Sequence, residues 1–88
     1  MKFLIFWSFQ VGVKVGPELA KVVFDLRDYA ERLRKEGKLE VHYHVVGKHG
    51  GVWIFDVQSN EELERLIAQM PVYNYVNYEI YPLTEMRA

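Results

Sequence analysis

Hydrophobic residues crowd the beginning of the chain without the spacing of a helix. Every second residue from position 3 to position 11 is apolar: Phe3, Ile5, Trp7, Phe9 and Val11. Leu4 and Phe6 make the opposite face of the same segment apolar as well. Such residues favour strands, and a strand that is apolar on both faces is typical of a central position in a covered sheet. The pattern therefore predicts a central strand over residues 1–13.

The following segment has the periodicity of an amphipathic helix. Pro17 suits its first position, because the N–H that proline lacks would have no partner there. Apolar residues then recur about every 3.6 positions and form one stripe: Leu19, Val22, Val23, Leu26, Ala30 and Leu33. Gly37 suits a left-handed C-terminal cap. We therefore expect a helix over residues 17–36, with its charged face in solvent.

An alternating segment followed by a glycine-rich turn predicts a β-hairpin. In the alternating segment, residues 39–46, two sets of side chains are expected on opposite faces: Leu39, Val41, Tyr43 and Val45 on one, and Glu40, His42 and His44 on the other. Residues 47–51 then form the turn, and residues 52–57 form a third strand.

A second helix and a last strand complete the pattern. Ser59 and Glu62 have the spacing of a capping box, which marks the start of a helix. Its apolar side is formed by Leu63, Leu66, Ile67 and Met70. Pro71 ends this helix. Residues 72–83 contain four tyrosines and favour a strand that Pro82 ends or places at an edge.

The predicted order of elements is β-α-β-β-α-β. Two interleaved right-handed strand–helix–strand crossovers give the ferredoxin-like fold of the α+β class, a four-stranded antiparallel sheet with two helices on one face. A chain of this length has one core, so we expect residues 1–88 to form a single domain. The other sheet face is too aromatic to remain in water, which predicts self-association through it.

Composition excludes several classes of function. Eleven basic and twelve acidic residues leave a net charge of −1, so no strong field attracts nucleic acid or an anionic membrane. The chain has no cysteine, which excludes a disulfide scaffold, a thiol nucleophile and thiolate metal sites. The apolar run from Phe3 to Phe9 is too short to span a bilayer. We expect a cytoplasmic domain without a membrane or nucleic-acid partner.

Several segments, taken in order, carry a resemblance to a known family. They are Val46-Gly47, Ile54-Phe55-Asp56-Val57, Ser59-Asn60, Glu62-Leu63, Met70-Pro71-Val72-Tyr73, Tyr75 and Tyr78-Glu79-Ile80. In this pattern, and in residues 30–37, the chain resembles the muconolactone isomerase family over about residues 25–83. The resemblance implies a ferredoxin-like fold, assembly into dimers or larger rings, and no metal or organic cofactor. It also implies an activity, the movement of a double bond within an unsaturated lactone that bears a carboxylate.

That reaction requires particular side chains. A base with a pKa near 7 must move a proton between two carbons, a donor must stabilise the enolate oxygen, and a cation must hold the carboxylate. For the base, the candidates are His44 and His49. For the substrate, they are the cations Lys48 and Arg27 and the hydroxyl donors Tyr43, Tyr73 and Tyr75.

Leu26 is the main departure from the family pattern. Family members carry an acidic residue on the first helix that is thought to act in proton transfer, and an ungapped alignment places Leu26 there. An alternative is therefore a ferredoxin-like oligomer, non-catalytic or with different chemistry such as dehalogenation, that binds a small hydrophobic ligand. The pocket between the first helix and the sheet distinguishes the two. A histidine or carboxylate with a facing cation favours isomerisation, and a wholly apolar pocket excludes it.

Two other functions remain as weaker alternatives. Glu40, His42 and His44 share one predicted strand face, and two histidines with a carboxylate can bind a divalent metal. No third element anchors such a site, so we expect none. RNA-recognition domains have the same element order, and residues 48–55 are similar to their basic-glycine-aromatic motif. Without a basic stripe, however, phosphates would be held poorly.

Overall fold

The computed structural model describes residues 1–14 and 16–86. Its elements are β1 (Lys2–Phe9), α1 (Pro17–Lys35), β2 (Leu39–His44), β3 (Gly50–Asp56), α2 (Asn60–Ala68), a 3-10 turn (Tyr73–Tyr75) and β4 (Val76–Leu83). This order confirms the predicted ferredoxin-like α+β fold. In the described part of the chain, no helix is both long enough and apolar enough to cross a membrane.

The four strands form one antiparallel sheet in the order β2-β3-β1-β4. The central position predicted for β1 is therefore confirmed. Ile5 lies between Trp53 of β3 and Ile80 of β4, on the face that the helices cover. Leu4 and Phe6 point to the opposite face, where they are only half-buried. We call that uncovered side the open face.

The core fills the space between the helices and the covered face of the sheet. Leu33 of α1 and Phe55 of β3 are almost completely buried there. Tyr29 is also buried, and its hydroxyl donates a hydrogen bond to the carbonyl oxygen of Leu66 on α2, at 2.6 Å. This bond ties the two helices together. Burial raises the pKa of Tyr29 to about 12.

The alternation predicted for β2 is wrong because the strand contains a β-bulge. Leu39 pairs with Phe55, but Val41 already pairs with Ile54, so the register shifts by one residue between them. A one-residue shift moves every following side chain to the other face of a sheet. His42, which pairs with Trp53, therefore lies on the covered face, as does His44 two residues later, and Val41 lies on the open face.

Other predicted boundaries also differ from the structure. The first strand ends at Phe9, not at residue 13, and the second ends at His44, not at residue 46. The last strand begins at Val76, not at residue 72, because residues 73–75 form a 3-10 turn closed by a bond from the Tyr75 N–H to the Val72 carbonyl, at 2.8 Å. Val72 is completely buried, so its packing fixes the chain there and overrides the strand preference of the tyrosines. The third strand begins at Gly50, within the predicted turn.

Candidate active site

A cavity of about 260 Å³ lies between α1 and the sheet, at the end of the sheet where β2 terminates. Trp7 and Trp53 form its wall on the sheet side. Leu26 and Ala30 form an apolar wall on the helix side. This is the place where the sequence predicts a pocket, and its size suits a small ring compound.

Three ionisable side chains line this cavity. Arg27 comes from α1, and His42 and His44 come from β2. The two histidines reach the cavity only because the bulge places them on the covered face. Leu26 therefore does not make the cavity wholly apolar. Histidines on the strand and a cation on the helix fulfil the condition that favours isomerisation.

The position of His42 is set from two sides. Its Nε2 atom lies 3.8 Å from Oε1 of Glu31 on α1, which is an ion-pair distance and too long for a hydrogen bond. Its ring also meets the Trp53 indole edge-on, with 6.0 Å between the ring centroids. The side chain of His42 retains 29% of its exposure, so it lies between the interior and the cavity.

A glycine allows the aromatic floor of the cavity to form. A Cβ atom on Gly51 would lie 2.8 Å from Cζ2 of Trp7 and 2.8 Å from the carbonyl oxygen of Tyr43. Both distances are shorter than van der Waals contact, so only glycine lets the indole lie flat against the strand here. Trp7 in turn packs edge-to-face on Phe9, with 5.8 Å between the ring centroids.

The comparison with known families agrees with this architecture. The family model described as muconolactone delta-isomerase matches residues 1–87. The chain belongs to the muconolactone delta-isomerase family. The resemblance noted from the sequence is thereby confirmed.

Individual members of the muconolactone delta-isomerase family give the degree of similarity. The chain is 37% identical over 57 residues to the Rhodococcus opacus enzyme, a match covering 65% of this chain and 61% of that protein. It is 39% identical over 57 residues to the enzyme of Cupriavidus pinatubonensis, covering 65% and 62%. These matches thus span about three fifths of both relatives.

Solved structures extend the similarity to the whole fold. A crystal structure of muconolactone isomerase superposes with a TM-score of 0.87 at 25% identity, covering 98% of this chain and 91% of that chain. A 5-chloro-2-hydroxyhydroquinone dehydrochlorinase from Burkholderia phenoliruptrix has a TM-score of 0.76 at 16% identity, covering 98% and 96%. The second likeness concerns the fold alone.

The structure brings only some of the sequence candidates together. Four of them line the cavity: Leu26, Arg27, Tyr43 and His44. Tyr43 pairs with Val52, however, so its side chain points to the open face and its hydroxyl lies outside the cavity. His49 and Lys48 lie in the exposed hairpin turn. The Lys48 ammonium is 5.7 Å from the centroid of the Phe6 ring, which belongs to the open face. These two side chains do not line the cavity.

The two remaining candidates lie near the opposite edge of the sheet. Tyr73 and Tyr75 belong to the 3-10 turn before β4, whereas the cavity lies beside β2. Tyr73 lines a second, more open cavity of about 380 Å³ between α2 and β4, together with Tyr78 and Glu64. The described residues that line this second cavity include no lysine or arginine, so it offers no cation to a carboxylate.

The bulge also separates the three residues that share one face in the predicted strand. The Glu40 carboxylate forms an ion pair with Nζ of Lys2, at 2.8 Å, and that lysine belongs to the open face. His42 and His44 point to the covered face instead. Within residues 1–14 and 16–86, no group of three or more histidine, aspartate and glutamate side chains is placed to hold a metal ion.

Sequence reasoning missed His42 as a cavity residue, although it identified His44. The alternating pattern correctly places His42 on the face opposite Val41. It also places Leu39 on the same face as Val41, so the apolar Leu39 wrongly indicates that this face is the covered one. A bulge has no sequence signature here. The available signal was the pair of histidines two residues apart on one strand.

Proposed function

We propose that the chain moves a double bond by a proton shuttle in a small unsaturated lactone that bears a carboxylate, of the muconolactone type, in the breakdown of aromatic compounds. The reaction takes place in the cavity between α1 and β2. The observation that carries this proposal is the combination of Arg27 and His44 in a cavity whose other walls are mainly apolar. Membership of the muconolactone delta-isomerase family supports the same chemistry.

Arg27 selects and orients the substrate in this proposal. A guanidinium can hold a carboxylate through two parallel charge-assisted hydrogen bonds, which fix its direction as well as its position. The lactone ring then lies against the apolar surfaces of Trp53 and Leu26. The cavity is thus suited to a compact ring that carries one negative charge.

His44 supplies the base. It removes a proton from a ring carbon, and the electron pair of the broken C–H bond moves into the conjugated system as an enolate. A hydrogen-bond donor must stabilise the developing charge on the carbonyl oxygen. The Tyr43 hydroxyl cannot be that donor, because Tyr43 pairs with Val52 and its side chain points to the open face. Return of a proton to the carbon two positions away forms the new C–H bond and leaves the double bond shifted. No oxidant or reductant is consumed.

Because the side chain at position 26 is apolar, the proposed proton transfer relies on histidine. Leu26 lines the cavity and has no proton to exchange. Imidazole ordinarily changes its charge between about pH 5 and 8 and therefore serves as base and acid at neutral pH. Self-association through the open face and the cytoplasmic location stay predictions of the sequence.

The direct test is turnover of muconolactone, followed by its ultraviolet absorbance. We expect the purified chain to convert it, and His44→Gln to lower kcat by about 10²–10⁴-fold, the usual contribution of a general base. His49→Gln separates the two histidine candidates and should retain turnover, since that residue lies outside the cavity. Absence of turnover above background in the unsubstituted chain would reject the isomerase. Ligand binding without turnover would favour the non-catalytic alternative.

A further inference from the structure

We propose that His42 is a second proton-carrying residue of the cavity, oriented by Glu31, and that it works with His44 as a two-histidine shuttle. This inference rests on the isomerase function proposed above and names the groups that remove and return the proton. The sequence pattern does not indicate this role for His42, and a reaction with a single base does not require it.

The strand geometry allows both imidazoles to contact one small ligand. His42 and His44 follow the bulge, lie two residues apart on the covered face, and line the same cavity. Residues at this spacing along a strand are about 7 Å apart. That separation leaves room for one ring between the two side chains, so each histidine can approach a different carbon of the same lactone.

Glu31 gives His42 a role distinct from that of His44. The carboxylate lies 3.8 Å from Nε2 of His42. In the proposed role it orients the imidazole so that the Nε2–H faces Glu31 and Nδ1 is the atom that accepts the proton. The other charged or titratable groups around the cavity are Arg27 on α1 and His44 on β2. The side chain of Tyr43 points to the open face, and β3 contributes the uncharged Trp53. Glu31 is the acidic group that lies at ion-pair distance from His42.

The shuttle balances without any other reactant. One neutral histidine takes the proton from the first carbon, that C–H bond breaks, and its electron pair forms the enolate. The second histidine, present as imidazolium, delivers its proton to the carbon two positions away, and the new C–H bond consumes the electron pair. The two histidines have then exchanged protonation states, and proton exchange with solvent restores them.

Turnover in heavy water tests the shuttle. The proton delivered in a two-histidine reaction comes from a group already exchanged with solvent, so each product molecule should gain one deuterium. With His42→Gln, kcat should fall by at least about a hundredfold. The remaining turnover should incorporate less deuterium, because His44 alone returns part of the abstracted proton. Mass spectrometry of the product measures this fraction, and thermal melting checks that the variant is folded.

Glu31→Gln tests the positioning role without removing an imidazole. Exposed ion pairs are weak, so we expect kcat to fall only about two- to fivefold with KM unchanged. The ¹⁵N chemical shifts of the His42 ring should move toward those of the other tautomer. Glu36→Gln is the matched control, because Glu36 forms ion pairs with Arg32 and Lys38 away from the cavity.

The outcomes separate this inference from the function on which it rests. No turnover by the unsubstituted chain would reject the isomerase, and the shuttle with it. A second outcome would overturn the role of His42 alone. In it the unsubstituted chain turns over normally, and His42→Gln has a kcat within about threefold of that value and incorporates the same amount of deuterium. If that variant does not fold, His42→Asn and the ¹⁵N shifts in Glu31→Gln decide the same question. Unchanged shifts would reject the orienting role of Glu31.

Discussion

Arg27 determines the class of ligand that the cavity accepts. Among the lining residues it is the one permanently charged cation, and the second cavity carries Glu64 instead. A carboxylate is therefore attracted to one cavity and repelled from the other. The affinity of this cavity for a carboxylate should therefore depend mainly on Arg27.

Replacing Arg27 by glutamine should weaken binding of the carboxylated substrate. Loss of a charge-assisted pair typically costs about 1.5–3 kcal/mol, so KM should rise by roughly 10- to 150-fold. Arg34→Gln on the same helix is the control, since Arg34 is exposed and does not line the cavity. Steady-state kinetics on both variants provide the measurement. An unchanged KM in Arg27→Gln would show that the carboxylate lies elsewhere.

Gly51→Ala should disturb both stability and the site. The added methyl group would lie 2.8 Å from the Trp7 ring, and overpacking of this kind typically costs about 1–3 kcal/mol. Chemical denaturation measures the loss, and Trp fluorescence should report a displaced indole. Gly37→Ala is a useful comparison, because its cost comes from a positive φ of 76° with no atom within 4 Å of the Cβ position. A stability unchanged by Gly51→Ala would contradict the close packing.

The sequence predicts part of the site at the residue scale. Leu26 belongs to the apolar stripe that helix periodicity directs toward the sheet. Arg27 is a candidate because a guanidinium suits a carboxylate, but the expectation that the charged face of this helix lies in solvent does not place it in the cavity. His44 is identified from chemistry, since imidazole suits a proton shuttle. The placement of both histidines in the cavity escapes prediction, because it depends on a one-residue shift that no local pattern encodes.

At the scale of elements, strong local signals predict well and packing decides the rest. Ser59 caps α2 as predicted by accepting a hydrogen bond from the Glu62 N–H at 3.0 Å, whereas the Glu62 carboxylate bonds the N–H of Gln58, one residue before the cap. The predicted apolar stripe of α1 does not include Tyr29. Its position, three residues after Leu26 and four before Leu33, is nevertheless on the same helix face. What a pattern within α1 does not contain is the partner of its hydroxyl, the Leu66 carbonyl on α2.

Tyr29→Phe should loosen the contact between the two helices. Removal of its buried hydrogen bond to the Leu66 carbonyl should lower the free energy of unfolding by about 1–2 kcal/mol. Tyr81→Phe is the matched control, because the Tyr81 hydroxyl bonds the Glu79 carboxylate in an exposed position. Equal stability of the two variants in urea denaturation would contradict the structural role of the Tyr29 bond.

Alkaline pH should destabilise the fold through its buried tyrosines. Burial raises the pKa of Tyr29 to about 12, and burial also raises the pKa of Tyr78. An unfolded tyrosine loses its proton near pH 10. Between pH 10 and 12 the unfolded chain therefore binds fewer protons than the folded chain, and stability falls as pH rises, by up to about 1.4 kcal/mol per pH unit for each tyrosine. In denaturation experiments, the free energy of unfolding of Tyr29→Phe should fall less steeply with pH than that of the unsubstituted chain. An equal slope for the two proteins would contradict this prediction.

At the scale of the whole molecule, the two faces of the sheet differ in how they are covered. The helices cover one face, and the open face carries half-buried apolar side chains at its centre, among them Leu4, Phe6, Val52 and Ile54. Tyr43 and Tyr81 extend this surface toward its edges with 66% and 49% of their area exposed. An apolar surface of this extent is typical of an interface between subunits.

A charge at the centre of the open face should prevent self-association. Ile54→Glu would place a carboxylate where a second subunit is expected to pack, and an unpaired charge buried there is costly. We expect sedimentation or light scattering to show an oligomer for the unsubstituted chain and a monomer for this variant. Val11→Glu is the control, since Val11 is fully exposed in the loop after β1. A monomeric unsubstituted chain would contradict the prediction.

The most direct test of the account is to locate where a carboxylated lactone binds. A saturated lactone with the same carboxylate cannot isomerise, so it can be titrated into ¹⁵N-labelled protein and followed by NMR. We predict that the largest chemical-shift changes occur at Leu26, Arg27, His42, His44 and Trp53, and that Arg27→Gln strongly reduces them at the same ligand concentration. Changes centred on Tyr73, Tyr78 and Glu64 would place the ligand in the second cavity and contradict the assignment of the active site.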